Sequence, residues 1–133
     1  MNNMKHEKSC GAIIISDNRV LIVKQNIGFY GFPKGHMEER ETEEETAIRE
    51  VKEEVGIDIT IDSRYRYEIE YMVNENTSKT VVFYVAYPNN TNIKCDGNEI
   101  AEAIWLDVDD AINVLSYDDL KNILKKVKKE KHL

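Results

Sequence analysis

The sequence predicts an α/β protein: an α/β/α sandwich built on a mixed β-sheet. Two observations predict it. Segments of strand character outnumber helical ones, and the one long, well-marked helix falls between two groups of strands rather than after them. Such an order suits a sheet with helices on both faces. The 133 residues suffice for one domain, residues 1–133, with a proper core.

Taken in order, residues 1–8 read as a polar lead-in, with Lys5–Ser9 able to begin a strand. Ser9–Ile15 reads as a buried strand, Ser16–Arg19 as a turn, and Val20–Lys24 as the second arm of an antiparallel hairpin. Tyr30–Gly35 (Tyr-Gly-Phe-Pro-Lys-Gly) is too rich in Gly and Pro for a regular central strand. A helix is expected over residues 42–55. Thr42 with Glu45 makes a capping box, and Gly56 suits a left-handed C-terminal stop on which Ile57 can pack back. Ile57–Ile61 and Tyr65–Val73 follow as two strands. Asn74–Ser78 is a hairpin loop and Lys79–Tyr87 its return strand. Pro88–Gly97 is a polar, Asn-rich surface loop. Glu102–Leu106 is a further strand, with Asp107 placed to cap a short helix over Val108–Leu115. A final amphipathic helix runs from Tyr117 to about Lys129, its apolar stripe being Leu120, Ile123, Leu124 and Val127. The lysines crowding its end complement the helix dipole.

The central helix poses an electrostatic question. With Glu50 as the zero of a helical wheel, Glu53 falls near about −60° and Glu54 near about +40°. Ala47, Val51, Val55 and Ile48 occupy a separate arc, from about 60° to about 160°. Three carboxylates thus share one face beside the apolar stripe, and like charges at these spacings repel. A divalent ion held by oxygen ligands would offset that cost; a solvated acidic face is the alternative.

Composition narrows the function. The net charge of −7 argues against non-specific nucleic-acid binding, which rests on basic surface, and against a stable nucleic-acid partner. It allows a polyphosphate substrate if metal ions invert the local charge. No apolar run approaches a membrane span and no signal peptide is visible, so a cytoplasmic protein, monomer or homodimer, is expected. Cys10 and Cys95 lack metal-ligand spacing and read as reduced and structural.

The stretch Gly35, five residues, Glu41, seven residues, then Arg49-Glu50-Val51-Lys52-Glu53-Glu54-Val55-Gly56-Ile57 resembles the complete box of the Nudix (MutT-like) superfamily. The strand order around it resembles that superfamily over nearly the whole chain. The resemblance implies the Nudix-type sandwich and hydrolysis of a nucleoside diphosphate linked to another group, with Mg²⁺ or, in its place, Mn²⁺. It implies metal-binding and catalytic roles for Glu50, Glu53 and Glu54, a metal-ligating carbonyl at Gly35, and orienting roles for Arg49 and Glu41. Arg49 can also pair with Glu53 at i,i+4. Glu99, six residues before Trp105, stands where similar enzymes place a metal-binding or basic glutamate; a plain loop charge is the other reading.

Flanking residues resemble one subgroup, the asymmetrical diadenosine tetraphosphate (Ap4A) hydrolases, which form ATP and AMP. These are Glu7–Ile13, Tyr30–His36, Lys79–Tyr84 and Ile100–Leu106. Two departures are visible: Tyr30 replaces a frequent tryptophan, and the subgroup's tyrosine beyond the box is displaced or absent, Tyr71 being the nearest. Lys34, His36 and Lys79 are candidate cations for the phosphate chain. Phe83, Tyr84, Tyr71 and Tyr117 are candidate faces for the base. Phe83 and Tyr84 must point to opposite sides of their strand, so at most one lines a pocket. The alternatives are another Nudix pyrophosphatase, acting on oxidised dNTPs or RNA 5′ ends, a non-catalytic nucleotide-binding domain, and a structural acidic-helix protein.

Overall fold

The computed structural model describes residues 4–133; Met1–Asn3 of the expected lead-in lie outside them. In order come strands β1 (Lys5–Ser16), β2 (Arg19–Gln25), β3 (Tyr30–Gly31) and β4 (Lys34–His36), then helix α1 (Glu43–Val55). Strands β5 (Ile59–Asn74), β6 (Thr77–Pro88) and β7 (Ile100–Asp107) follow, then helices α2 (Val108–Val114) and α3 (Asp118–Glu130).

The strands form a seven-stranded mixed sheet with the order β3-β2-β1-β6-β5, to which β4 adds on β1 and β7 on β2. The β1–β6 ladder is parallel from Lys5↔Thr77 to Ile14↔Ala86, and the other pairings are antiparallel. Residue parity then assigns the two faces. Ile13, Ile15, Val81, Phe83 and Val85 pack with Leu120, Ile123, Leu124 and Val127 of α3 and Ala111 of α2. Ala12, Ile14 and Ala86 pack with Val51 and Val55 of α1. The helices therefore cover opposite faces, as expected.

Several details depart from the sequence expectations. The β1–β2 hairpin is tight, with Asp17 and Asn18 both at positive φ, but only two residue pairs join its arms. Upstream, β1 is already flanked by β6 and β4, so β2 takes β7 as its main partner. The two expected strands at 57–61 and 65–73 are one strand, β5, whose register shifts between Asp62 and Arg66. The β5–β6 turn shrinks to Glu75 and Asn76, because Thr77 and Ser78 are buried in β6. Tyr30–Gly35 supplies the two short strands β3 and β4, interrupted at Phe32-Pro33. Asp107 occupies the N-cap position of α2 but caps no backbone N–H with its side chain; the carboxylate lies 3.6 Å from Arg19 Nε instead.

Candidate active site

Helix α1 begins and ends as its sequence dictates. Thr42 accepts from the Glu45 N–H at 3.1 Å while the Glu45 carboxylate accepts from the Thr42 N–H at 2.8 Å. Gly56 takes φ 74° and its N–H reaches the Lys52 carbonyl at 3.0 Å. The buried face, however, is not the expected one. Ile48 is 41 % exposed, whereas Thr46 and Glu54 are buried and the Glu50 side chain is nearly so. On the wheel these residues shift the buried arc to about −40° through about +140°. Glu50 and Glu54 thus lie within the packed face and only Glu53 projects outward. The cause is β4, which lies against that side of α1. A Cβ on Gly35 would sit 1.5 Å from Glu50 Oε2, so the absence of a side chain at 35 is what seats Glu50.

Arg49 holds this arrangement together. Its Nε and Nη2 donate to Glu41 at 2.6 and 2.9 Å, and Nη1 donates to Glu50 at 2.7 Å. Nη2 also donates to the His36 carbonyl at 2.9 Å, tying α1 to the end of β4. The expected i,i+4 pair with Glu53 is present at 3.3 Å but is the loosest of these contacts. Hydrogen bonding from Arg49 and the Glu38 N–H holds the Glu41 carboxyl down to about 2. Burial pushes Glu50 above the usual carboxylate range, against the pull of Arg49. Glu54 is pushed up to about 8, first by burial and then by the Glu50 charge, with Lys34 drawing it back and Glu99 adding repulsion. Residues 54, 50, 99 and 34 are therefore electrostatic neighbours although they come from three separate segments.

A cavity of about 440 Å³ lies on the α3 face of the sheet. Its walls include Phe29, Tyr30, Phe32, Tyr71, Phe83 and Tyr117. The Phe29 and Tyr117 rings stack at 5.4 Å in a tilted pair at the rim, and Phe32 meets Phe83 edge-on at 5.3 Å in the floor. Lys34 also lines the cavity, so one residue faces both the aromatic space and Glu54. Lys79 is half-buried nearby; burial and the Lys34 charge lower its proton affinity.

Of the residues singled out from the sequence, Glu50, Glu54, Glu99, Arg49, Gly35 and Lys34 come together. Tyr71, Tyr117 and Phe83 line the cavity, Phe83 as a fully buried floor. Tyr84 does not belong with them. Strand parity turns it to the α1 face, where its hydroxyl donates to Glu43 at 2.7 Å. His36 is exposed at the end of β4 and, like Lys79, does not line the cavity. Phe29, Tyr30 and Phe32 were not foreseen as cavity walls. Their only local signal was aromatic density around Gly28 and Gly31.

The donor set suits a hard divalent ion. Glu50 and Glu54 crowd one place with too little positive charge, Glu53 projects beside them, and all offer oxygen ligands. Among the described residues, no three acidic, His or Cys side chains already converge in ligating geometry, Glu50 being engaged by Arg49.

The NUDIX domain family model matches residues 5–129. The chain belongs to the Nudix family. This Nudix chain is 31 % identical to the asymmetrical bis(5′-nucleosyl)-tetraphosphatase of Sus scrofa, over 88 % of this chain and 90 % of that one. It is 37 % identical to the 8-oxo-dGTP diphosphatase of Proteus vulgaris, over only 45 % of this chain and 58 % of that one. Among solved structures, an Ap4A hydrolase from C. elegans in a binary complex superposes with a TM-score of 0.84 at 25 % identity, covering 95 % of this chain and 98 % of that one. The Nudix chain is thus a pyrophosphohydrolase with the mixed-sheet fold of its relatives. Among its described residues no helix is long and apolar enough to cross a membrane.

Proposed function

We propose that this Nudix hydrolase cleaves bis(5′-nucleosyl) tetraphosphates asymmetrically, Ap4A and water giving ATP and AMP. The observation that carries the reading is Lys34. It lines an aromatic cavity of base-binding size and also faces the acidic end of α1. A nucleotide whose base enters the cavity would pass its phosphates over Lys34 towards Glu54. The match to an asymmetrical tetraphosphatase over nine-tenths of that enzyme supports the same reading, whereas the 8-oxo-dGTP diphosphatase matches over a shorter stretch.

In this reading Glu50, Glu53, Glu54, Glu99 and the Gly35 carbonyl would hold Mg²⁺ or Mn²⁺. When bound, the metal supplies phosphate charge neutralisation and lowers the proton affinity of an attacking water. The chain's own residues supply placement. Arg49 fixes the Glu50 carboxylate and leaves Glu53 looser. Lys34 and Lys79, with His36 at the edge, bind phosphate oxygens, and a phosphate chain between them would relieve the repulsion that Lys34 exerts on half-buried Lys79. Tyr71, Tyr117 and Phe29 offer ring faces to a base, and Phe83 forms the floor. Glu54 or Glu99 is the proton acceptor, being close to both the acidic cluster and the lysines.

A substrate panel in ¹⁸O-labelled water tests this: Ap4A, Ap3A, dNTPs including 8-oxo-dGTP, ADP-ribose and 5′-triphosphate RNA. Metal-dependent release of ATP and AMP from Ap4A, at much higher kcat/KM than any other turnover, is expected. Preference for a dNTP or for RNA would overturn the specificity, and full turnover in excess chelator the metal requirement.

A further inference from the structure

The Asn-rich loop between β6 and β7 is more than a surface connection. Its Lys94 N–H donates to the Val55 carbonyl at 2.8 Å, and its Asp96 N–H donates to the Glu54 carbonyl at 3.0 Å. These are last-turn carbonyls of α1, which have no partner within the helix. The fit is close: a Cβ on Gly56 would lie 3.1 Å from Lys94 Cβ. The loop is therefore fastened to the residue that follows Glu53 in the acidic cluster.

The Asp96 side chain then fixes the chain beyond it. Its Oδ1 accepts from the N–H groups of Asn98, Glu99 and Ile100 at 3.0, 3.3 and 3.3 Å. Gly97, at φ 77°, provides the left-handed turn that lets one oxygen face three successive amides. Ile100 is buried and opens β7, so the far end of this turn is anchored in the core. From the other side, the Asn26 N–H donates to the Glu99 carbonyl at 2.8 Å and the Asn26 amide donates to the Asn98 carbonyl. Asn26 follows Gln25, whose N–H donates to the carbonyl of Phe29 at the cavity rim. Asp96 is thus the joint between the acidic helix, the loop carrying Glu99, and the rim of the aromatic cavity. With Asp96 tied to the Glu54 carbonyl, Glu99 stands three residues from the end of α1, near enough for its charge to act on Glu54 and Lys79, and no hydrogen bond holds the Glu99 carboxylate itself among the described residues. Its position depends on its backbone.

We propose that Asp96 is a positioning residue for Glu99, setting the Glu99 carboxylate against the end of α1 by gathering the amides of residues 98–100. The inference rests on the reading of Glu99 as an active-site carboxylate. An Ala at 96 leaves the α1 contact, which is backbone, but orphans three N–H groups. An Asn keeps an oxygen acceptor without the charge.

The test is kinetic, on the full chain with Ap4A and Mg²⁺. Asp96→Ala is expected to lower kcat about 10- to 100-fold, the range typical of groups that orient an active-site ligand. KM should change little, and the Mg²⁺ concentration for half-maximal rate should rise. Asp96→Asn should recover most of the rate and serves as the folded control. In a Glu99→Gln background Asp96→Ala should cost nothing further, because both changes disable the same group. An undiminished additional loss in that background would overturn the inference, as would an Asp96→Asn rate as low as that of Asp96→Ala. Wild-type kcat in Asp96→Ala beside a crippled Glu99→Gln would overturn the inference alone. Full activity in Glu99→Gln would overturn the reading of Glu99 and the inference with it.

Discussion

The two ends of α1 carry buried or half-buried glutamates in opposite electrostatic circumstances. At the N-terminal end, Glu43 receives Lys8 at 2.6 Å, a bidentate Arg66 at 2.8 Å and the Tyr84 hydroxyl at 2.7 Å. Its carboxyl is held well below the usual range, chiefly by Arg66. The cluster fastens the helix to β1, β5 and β6. At the C-terminal end, Glu54 is buried beside Glu50, with Lys34 only partly offsetting the crowding, and is pushed up to about 8. One helix thus carries a satisfied charge that serves packing and a crowded one to which the proposed function gives the chemistry. Both carboxyls are displaced from the usual range, but in opposite directions: pairing lowers Glu43, and burial beside a like charge raises Glu54.

Breaking the crowded end should have the largest effect. Glu53→Gln and Glu54→Gln should each reduce metal-dependent turnover by orders of magnitude, measured as kcat, with the circular dichroism unchanged; near-normal rates would refute the metal-cluster reading. The stability of the metal-free protein should move the other way for Glu54→Gln. A carboxyl raised from 4.5 to about 8 gives a contribution fully present below pH 4.5 and lost as pH rises through about 8. The Gln variant escapes that loss, so above about pH 8 its urea midpoint should exceed that of the metal-free wild type, by a gain on the order of 1–3 kcal/mol.

Gly35→Ala comes next. Its Cβ would displace the Glu50 carboxylate, and with Glu50 in the role proposed above kcat should fall by up to about 100-fold, the cost a misplacement of about 1 Å can carry. An unaltered kcat would show that the seating of Glu50 is not needed.

How much of this contrast was legible in the sequence depends on how local its causes are. The bounds of α1 were legible because Thr42, Glu45 and Gly56 act within a turn of themselves. Glu50, Glu53 and Glu54 were legible because the box fixes their spacing. Their burial was not: the wheel alone puts Ile48 inside and Glu54 outside, whereas β4 covers the Glu50 side. Nor was the Glu43 cluster, whose partners Lys8, Arg66 and Tyr84 come from three strands. Parity showed that Tyr84 and Phe83 must part company, but not which one faces the cavity. The cavity walls Phe29 and Phe32, and the Asp96 turn, arise from contacts between segments that no local pattern connects.

Smaller effects sharpen the other side of the comparison. Glu43→Gln should destabilise the protein by about 1–3 kcal/mol at neutral pH, by leaving Arg66 and Lys8 under-paired. Because the folded-state pKa of Glu43 is lowered, that contribution is present above pH 4.5 and fades as pH falls below it. The urea midpoints of variant and wild type should therefore converge in acid, and a constant gap would contradict the assignment. Smallest is the tyrosine pair. Tyr117→Ala should raise KM for Ap4A by about tenfold through lost stacking, whereas Tyr84→Phe should leave KM unchanged and cost only about 1 kcal/mol of stability.

The most direct test of the division along α1 is a carbon-detected NMR titration of the glutamate carboxyls, without and with saturating Mg²⁺. Glu54 should titrate near 8 in the metal-free protein and fall well below neutrality when Mg²⁺ is present, while Glu43 stays ionised at neutral pH in both. A Glu54 carboxyl that titrates near 4.5 without metal, or that ignores Mg²⁺, would contradict the account.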